Sequence, residues 1–147
     1  MAKFAKIKPN FWRRKDLRGI GQLSKLLAIY LLTNENIRML GIYRLPLHTI
    51  MTELNIEPCQ LETALNELIA RNFCLYDKEE EVVWVSDMAF TQVADNPNEK
   101  QLKGIQNELK GLADADYPFL SEFIQKYTDV FELSVEWLLE CSLRSLL

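Results

Sequence analysis

Leu40-Gly-Ile-Tyr-Arg-Leu-Pro46 lies between two stretches of helical spacing, and its reading decides the fold. Ile42, Tyr43 and their neighbours favour an extended backbone, so the segment reads as a short strand. Pro46 suits the first position of a helix, where its missing N–H costs nothing, and that helix would bury Leu47, Ile50, Met51 and Leu54. Upstream, Gln22–Thr33 is apolar nearly all round from Leu26 to Leu32, the pattern of a helix covered on several sides. Gly21 caps its start and Asn34 and Asn36 close it. Downstream, Asn55-Ile-Glu is a tight connection and Pro58 opens a third helix. There Leu61, Ala64, Leu65 and Leu68 recur at helical spacing, while Gln60, Glu62, Thr63, Asn66 and Glu67 point away. Phe73–Tyr76 and Val82–Val85 are two strands of a hairpin with the acidic tip Asp77-Lys-Glu-Glu-Glu81.

Helix, strand, helix, turn, helix, hairpin is the order of a winged helix-turn-helix, whose third helix ordinarily enters the major groove of DNA. The expected class is mainly α, of the α+β type, with the winged unit over residues 22–93, a basic arm over residues 1–21 and an amphipathic helical extension over residues 94–147. In the extension, Leu102, Ile105, Leu109 and Leu112 form one stripe, and Leu120, Phe123, Ile124 and Tyr127 form a second. A last stripe runs from Ser134 onward. Its Trp137, Leu138, Leu143 and Leu146 are expected to pack or to join copies into a homo-oligomer. A chain of 147 residues with 48% hydrophobic and 26% charged residues can bury a real core.

The net charge of −4 conceals a split. Residues 1–50 hold ten Lys and Arg against Asp16 and Glu35, whereas residues 51–147 hold seven against nineteen Asp and Glu. Such an asymmetry points to a basic arm for a polyanion. Lys3, Lys6, Lys8, Arg13, Arg14, Lys15 and Arg18 would hold phosphates, with Arg38 and Arg44 extending the surface. Phe4, Phe11 and Trp12 alternate with these cations; they either stack on bases or pin the arm to the first helix. Contact of about six cations with phosphates would lower affinity by three or more decades from low to moderate salt. On the third helix, Gln60 and Asn66 carry the chemistry to pair with adenine edges and Thr63 to touch a thymine methyl. Glu62 and Glu67 beside them, and the acids of the hairpin tip, oppose phosphate. The alternative is therefore an interaction module whose acidic face engages a protein and not DNA.

Lys6-Ile-Lys-Pro-Asn-Phe-Trp-Arg13 with Leu17-Arg18, then Lys25-Leu-Leu, Tyr30-Leu-Leu-Thr-Asn34 and Leu40-Gly-Ile-Tyr-Arg-Leu-Pro46, resembles the N-terminal winged helix of phage replication-initiation proteins akin to the DnaD-type replisome organisers. Leu75-Tyr-Asp77, Val83-Trp84, Asn96-Pro-Asn98 and Lys103-Gly-Ile105 extend the likeness, which covers about residues 6–127. The resemblance implies binding of origin, duplex or forked DNA and recruitment of a replication protein such as a helicase loader.

Catalytic readings find no support. His48 is the only histidine and has no nucleophile placed around it. The carboxylates lie in solvated runs, and Gly19 and Gly21 are followed by no phosphate-loop lysine. Cys59, Cys74 and Cys141 are widely spaced without a CxxC pair, so no zinc site or disulfide framework is expected and a reducing cytoplasm is the natural compartment. No cofactor, no metal, no membrane span and no signal peptide are expected.

Overall fold

A computed structural model describes residues 4–93 and 97–133. Lys3 and the expected interface residues Trp137, Leu138, Leu143 and Leu146 lie outside the described residues. The fold is α+β, rich in helix, and the chain divides into two compact units, Met1–Gln92 and Val93–Leu147.

In the first unit, two short 3₁₀ turns, Pro9–Arg13 and Lys15–Leu17, lead into α1 (Gln22–Thr33). Leu27, Ala28 and Leu31 of α1 are fully buried, but Leu26 is left 47% exposed, so the helix is covered on fewer sides than its composition suggests. The chain continues through β1 (Ile42–Arg44), α2 (Leu47–Leu54), α3 (Pro58–Ala70), β2 (Cys74–Asp77), β3 (Val82–Val85) and α4 (Met88–Gln92). Pro46 is the residue before α2 and not its first, and α2 ends on Asn55, whose left-handed φ of 54° asparagine tolerates better than most side chains. Helix α4 was not expected from the sequence; five residues are too few for a periodicity to show.

The strands form one antiparallel sheet in the order β1-β3-β2. Ile42 pairs with Trp84 and Arg44 with Val82 on one side of β3, while Cys74 pairs with Val85 and Asp77 with Val82 on the other. The expected hairpin is thus joined by β1 as a third strand. Tyr43, Val83, Val85 and Cys74 face a core shared with Leu27, Leu31, Ile50, Leu61, Leu65 and Leu68 from the three helices. Phe11, Leu17 and Ile20 belong to the same core, so the segment before α1 is part of the packed unit.

The end of α1 is locked to β1 by a buried polar network. The Tyr43 hydroxyl donates to the Leu31 carbonyl and accepts from Asn34 Nδ2 at 2.9 Å; Asn34 Nδ2 also donates to the Tyr30 carbonyl, and its Oδ1 accepts from the Asn36 N–H. Each polar atom has a partner, as burial requires. Burial also pushes the Tyr43 phenol upward, so it stays a donor.

The second unit contains α5 (Glu99–Asp114) and α6 (Leu120–Tyr127). Asn98 and Gln101 close a reciprocal capping box at the start of α5. Ile105, Leu109 and Leu112 are buried, as are Phe123, Ile124 and Tyr127. Phe131 stacks on Tyr127 with ring centroids 4.9 Å apart.

Gly41 has φ +81°, and a Cβ there would lie 2.7 Å from the Val85 carbonyl oxygen. Gly41→Ala is therefore expected to destabilise the chain by about 1–3 kcal/mol, read as a lower urea midpoint. Gly111, inside α5 with open space around it, is the opposite case. Gly111→Ala is expected to stabilise by up to about 1 kcal/mol in the same titration.

Candidate nucleic-acid interface

Residues 4–21 form a strap fixed to the first unit at several points. Pro9 presets the backbone of the first 3₁₀ turn, which turns Phe11 inward to 3% exposure and Trp12 outward to 68%. The two rings meet edge to face, with centroids 5.2 Å apart. Of the two roles open to these aromatics, Phe11 takes the core position and Trp12 is free to stack. Leu17 and Ile20 anchor the far end of the strap. At its beginning, the Gln92 side chain donates to the Lys6 carbonyl at 2.9 Å and accepts from the Lys6 N–H at 3.4 Å.

Arg14 differs from the sequence expectation. Its guanidinium grips Asp16 with two hydrogen bonds of 2.9 and 2.6 Å, lies 3.5 Å from Asp87, and sits over the Phe73 ring at 5.1 Å. A planar fork held this way is a staple between the strap and the start of β2. The remaining described cations of the strap, Lys6, Lys8, Arg13, Lys15 and Arg18, are exposed, and their side chains form no ion pair with any described residue. Asp16 is the only carboxylate in residues 1–21, and Arg14 occupies it. The strap therefore shows water a set of uncompensated positive charges around an exposed indole.

Arg38 and Arg44 part company. Arg38 lines a hollow together with Lys6. Arg44 instead donates to the Glu80 carbonyl at 3.2 Å and pairs with its carboxylate at 3.7 Å, at the tip of the hairpin.

The residues expected to read bases on α3 are placed less favourably. Gln60 Oε1 accepts from the Glu57 N–H at 2.9 Å, which holds the side chain against the backbone at the start of the helix. The Thr63 hydroxyl donates back to the Cys59 carbonyl at 3.0 Å. Only Asn66 is exposed with an unengaged side chain. Glu67, expected to face solvent, bends back to accept from the Gly21 N–H at 3.0 Å and supplies the start of α1 with the cap that glycine lacks. Hydrogen bonds from Ser24 and Gly21 hold its carboxyl below the usual range. Arg71 donates to the Arg18 carbonyl at 2.8 Å, tying α3 to the end of the strap.

No protein-family model, no curated protein and no solved structure matches the chain. Among the described residues, no group of His, Cys, Asp or Glu is arranged to hold a metal ion, and no helix is long and apolar enough to cross a membrane. Burial raises the Cys74 thiol to about 12, which keeps it protonated and unreactive.

Two sequence features gave no warning of this arrangement. Gln92 and Lys6 are 86 residues apart, and nothing in either neighbourhood marks the pair. The Arg14–Asp16 fork was visible only as two opposite charges two residues apart in a basic run.

Arg14→Ala is expected to cost about 1 kcal/mol of stability in a urea titration, whereas Arg13→Ala on the same turn changes little. Glu67 is held below its unfolded range, so its contribution is complete above the ordinary carboxylate pKa and fades as pH falls through the lowered value. Urea midpoints measured from pH 7 to pH 3 should fall less steeply for Glu67→Gln than for the natural chain.

Proposed function

We propose that this chain is a non-catalytic DNA-binding protein of the phage or prophage replication-initiation type, whose first unit is a winged helix-turn-helix that grips DNA by its N-terminal strap. The observation that carries this reading is the set Lys6, Lys8, Arg13, Lys15 and Arg18, exposed, in no ion pair with a described residue, and placed along the same strap as the outward-facing Trp12. The element order α1-β1-α2-α3-β2-β3 and the sheet order β1-β3-β2 support the winged assignment. Because Gln60 and Thr63 are engaged by the backbone of α3, recognition rests on phosphates and on the exposed aromatics Phe4 and Trp12, and sequence preference is weak. Recruitment of a helicase loader, implied by the family resemblance, would fall to other surfaces.

A second reading is favoured by the hairpin tip. Lys78, Glu79, Glu80 and Glu81 are all exposed there, and a phosphate backbone would be repelled by the three acids. On this reading the unit is a scaffold whose acidic tip meets a basic protein.

Fluorescence anisotropy on duplex and forked DNA across a salt series separates the two. With five phosphate contacts, log K should fall with log salt at a slope of about −4.5, roughly three decades between 50 and 200 mM. Replacing Lys8, Arg13, Lys15 and Arg18 together by Ala should weaken binding and reduce the slope by about 0.9 for each cation removed. Binding that keeps its strength and slope in this variant would refute the strap. Absence of binding at low salt would leave the acidic tip as the better reading.

A further inference from the structure

Beside the strap lies a hollow of about 210 Å³. It is lined by Phe4, which is 77% exposed, by Ile37 and Met39 from the α1–β1 loop, and by the buried Met88 of α4. Lys6 and Arg38, both exposed, complete the lining with Gln92, and no carboxylate is among the described lining residues. Gln92 is the residue whose amide brackets the Lys6 backbone, so the edge of the hollow is fixed by the same two hydrogen bonds that fix the strap.

The geometry points to a binding site for one unpaired base of single-stranded DNA, with the adjoining phosphates on Lys6 and Arg38. Three observations converge on this occupant. The volume is below the roughly 300–1,000 Å³ of sites for drug-sized ligands, giving room for one planar ring system and not two. The apolar lining sets the Phe4 ring, which stacks on any base face without demanding a sequence, beside Ile37 and the thioethers of Met39 and Met88. Both charged groups among the described lining residues are cations, which suits a phosphodiester on each side of the seated base and disfavours an apolar peptide strand. A duplex cannot deliver a base here without unstacking it, so the hollow selects single strands or the unpaired arm of a fork.

This inference rests on the DNA-binding reading above, and its test keeps the two apart. Anisotropy titrations with the full chain would compare a fluorescein-labelled thymidine oligonucleotide with a strand of equal length and charge made of abasic residues. The natural chain should prefer the base-bearing strand by roughly tenfold, the size of one base–aromatic stack. Phe4→Ala, which removes an exposed side chain, should bring that ratio close to one, with an unchanged thermal midpoint as the check on folding. Arg38→Ala should weaken both strands and flatten the salt slope, with the ratio kept. A ratio near one in the natural chain, or a preference that survives Phe4→Ala, overturns the hollow while the strap stands, provided that the abasic strand binds. Failure of both strands to bind at low salt overturns the hollow and the reading beneath it.

Discussion

Strand β3 sets the conditions that the rest of the first unit must meet. Val83 and Val85 face the core, Val82 and Trp84 face the other way, and all four are buried. A strand shut off from water on both faces must have its backbone groups paired on both edges, since an unpaired buried amide costs as much as a lost hydrogen bond. The hairpin supplies one edge through β2. The other must come from β1, some forty residues earlier in the chain. That return is possible because the chain at Gly41 carries no side chain: its carbonyl accepts from the Val85 N–H at 2.8 Å, at a distance where a Cβ would strike the Val85 carbonyl. Tyr43 then reaches through the core to Leu31 and Asn34, so pairing β1 with β3 also fixes where α1 ends. A buried strand thus determines the position of a helix with which it shares no backbone bond.

The strap follows from the same economy of surface. Helix α1 is apolar on too many sides for α2, α3 and a three-stranded sheet to cover alone, and Phe11, Leu17 and Ile20 join that core as additional cover. Short 3₁₀ turns suit this task, because each residue pair of inward apolar and outward polar side chains can be set without the length a full helix needs. Burying three side chains of this kind stabilises the docked strap by several kcal/mol against the entropy of ordering it. Charge comes along as a consequence of position: the residues between the anchors have only the solvent side left to occupy.

Much of the fold was legible in the sequence because local pattern carries it. The stripes of α3, α5 and α6, and the short apolar run of β3, depend on neighbours within a few residues, and each element lies where those patterns place it. What remained hidden depends on contacts across long separations or on geometry within a turn. The pairing of β1 with β3, the Gln92 bracket on Lys6 and the bond from Arg71 to the Arg18 carbonyl have no local signature. The candidate interface was legible as a charge count but not as a list of working residues. Arg14 and Arg13 are indistinguishable in sequence, yet the inward turn of Phe11 and Leu17 directs one guanidinium onto Asp16 and leaves the other in water. Glu67 likewise read as a solvent-facing acid, because the need of Gly21 for a cap lies 46 residues away.

The internal staple matters for how an acidic chain could hold a polyanion at all. A net charge of −4 repels DNA at long range, but at the roughly 10 Å Debye length of moderate salt only the local charge counts. Locally, the one carboxylate of the strap is neutralised by Arg14, so the exposed groups are cations alone. The staple also anchors the backbone that carries those cations, and charges on an anchored backbone lose less conformational entropy on meeting phosphates than a free tail of equal charge. One basic residue is thereby engaged within the strap, and the others are left facing water. The acids of the hairpin tip then have a defined effect under the same reading: they penalise approach by the hairpin side and favour the orientation in which the strap and the hollow meet the nucleic acid first.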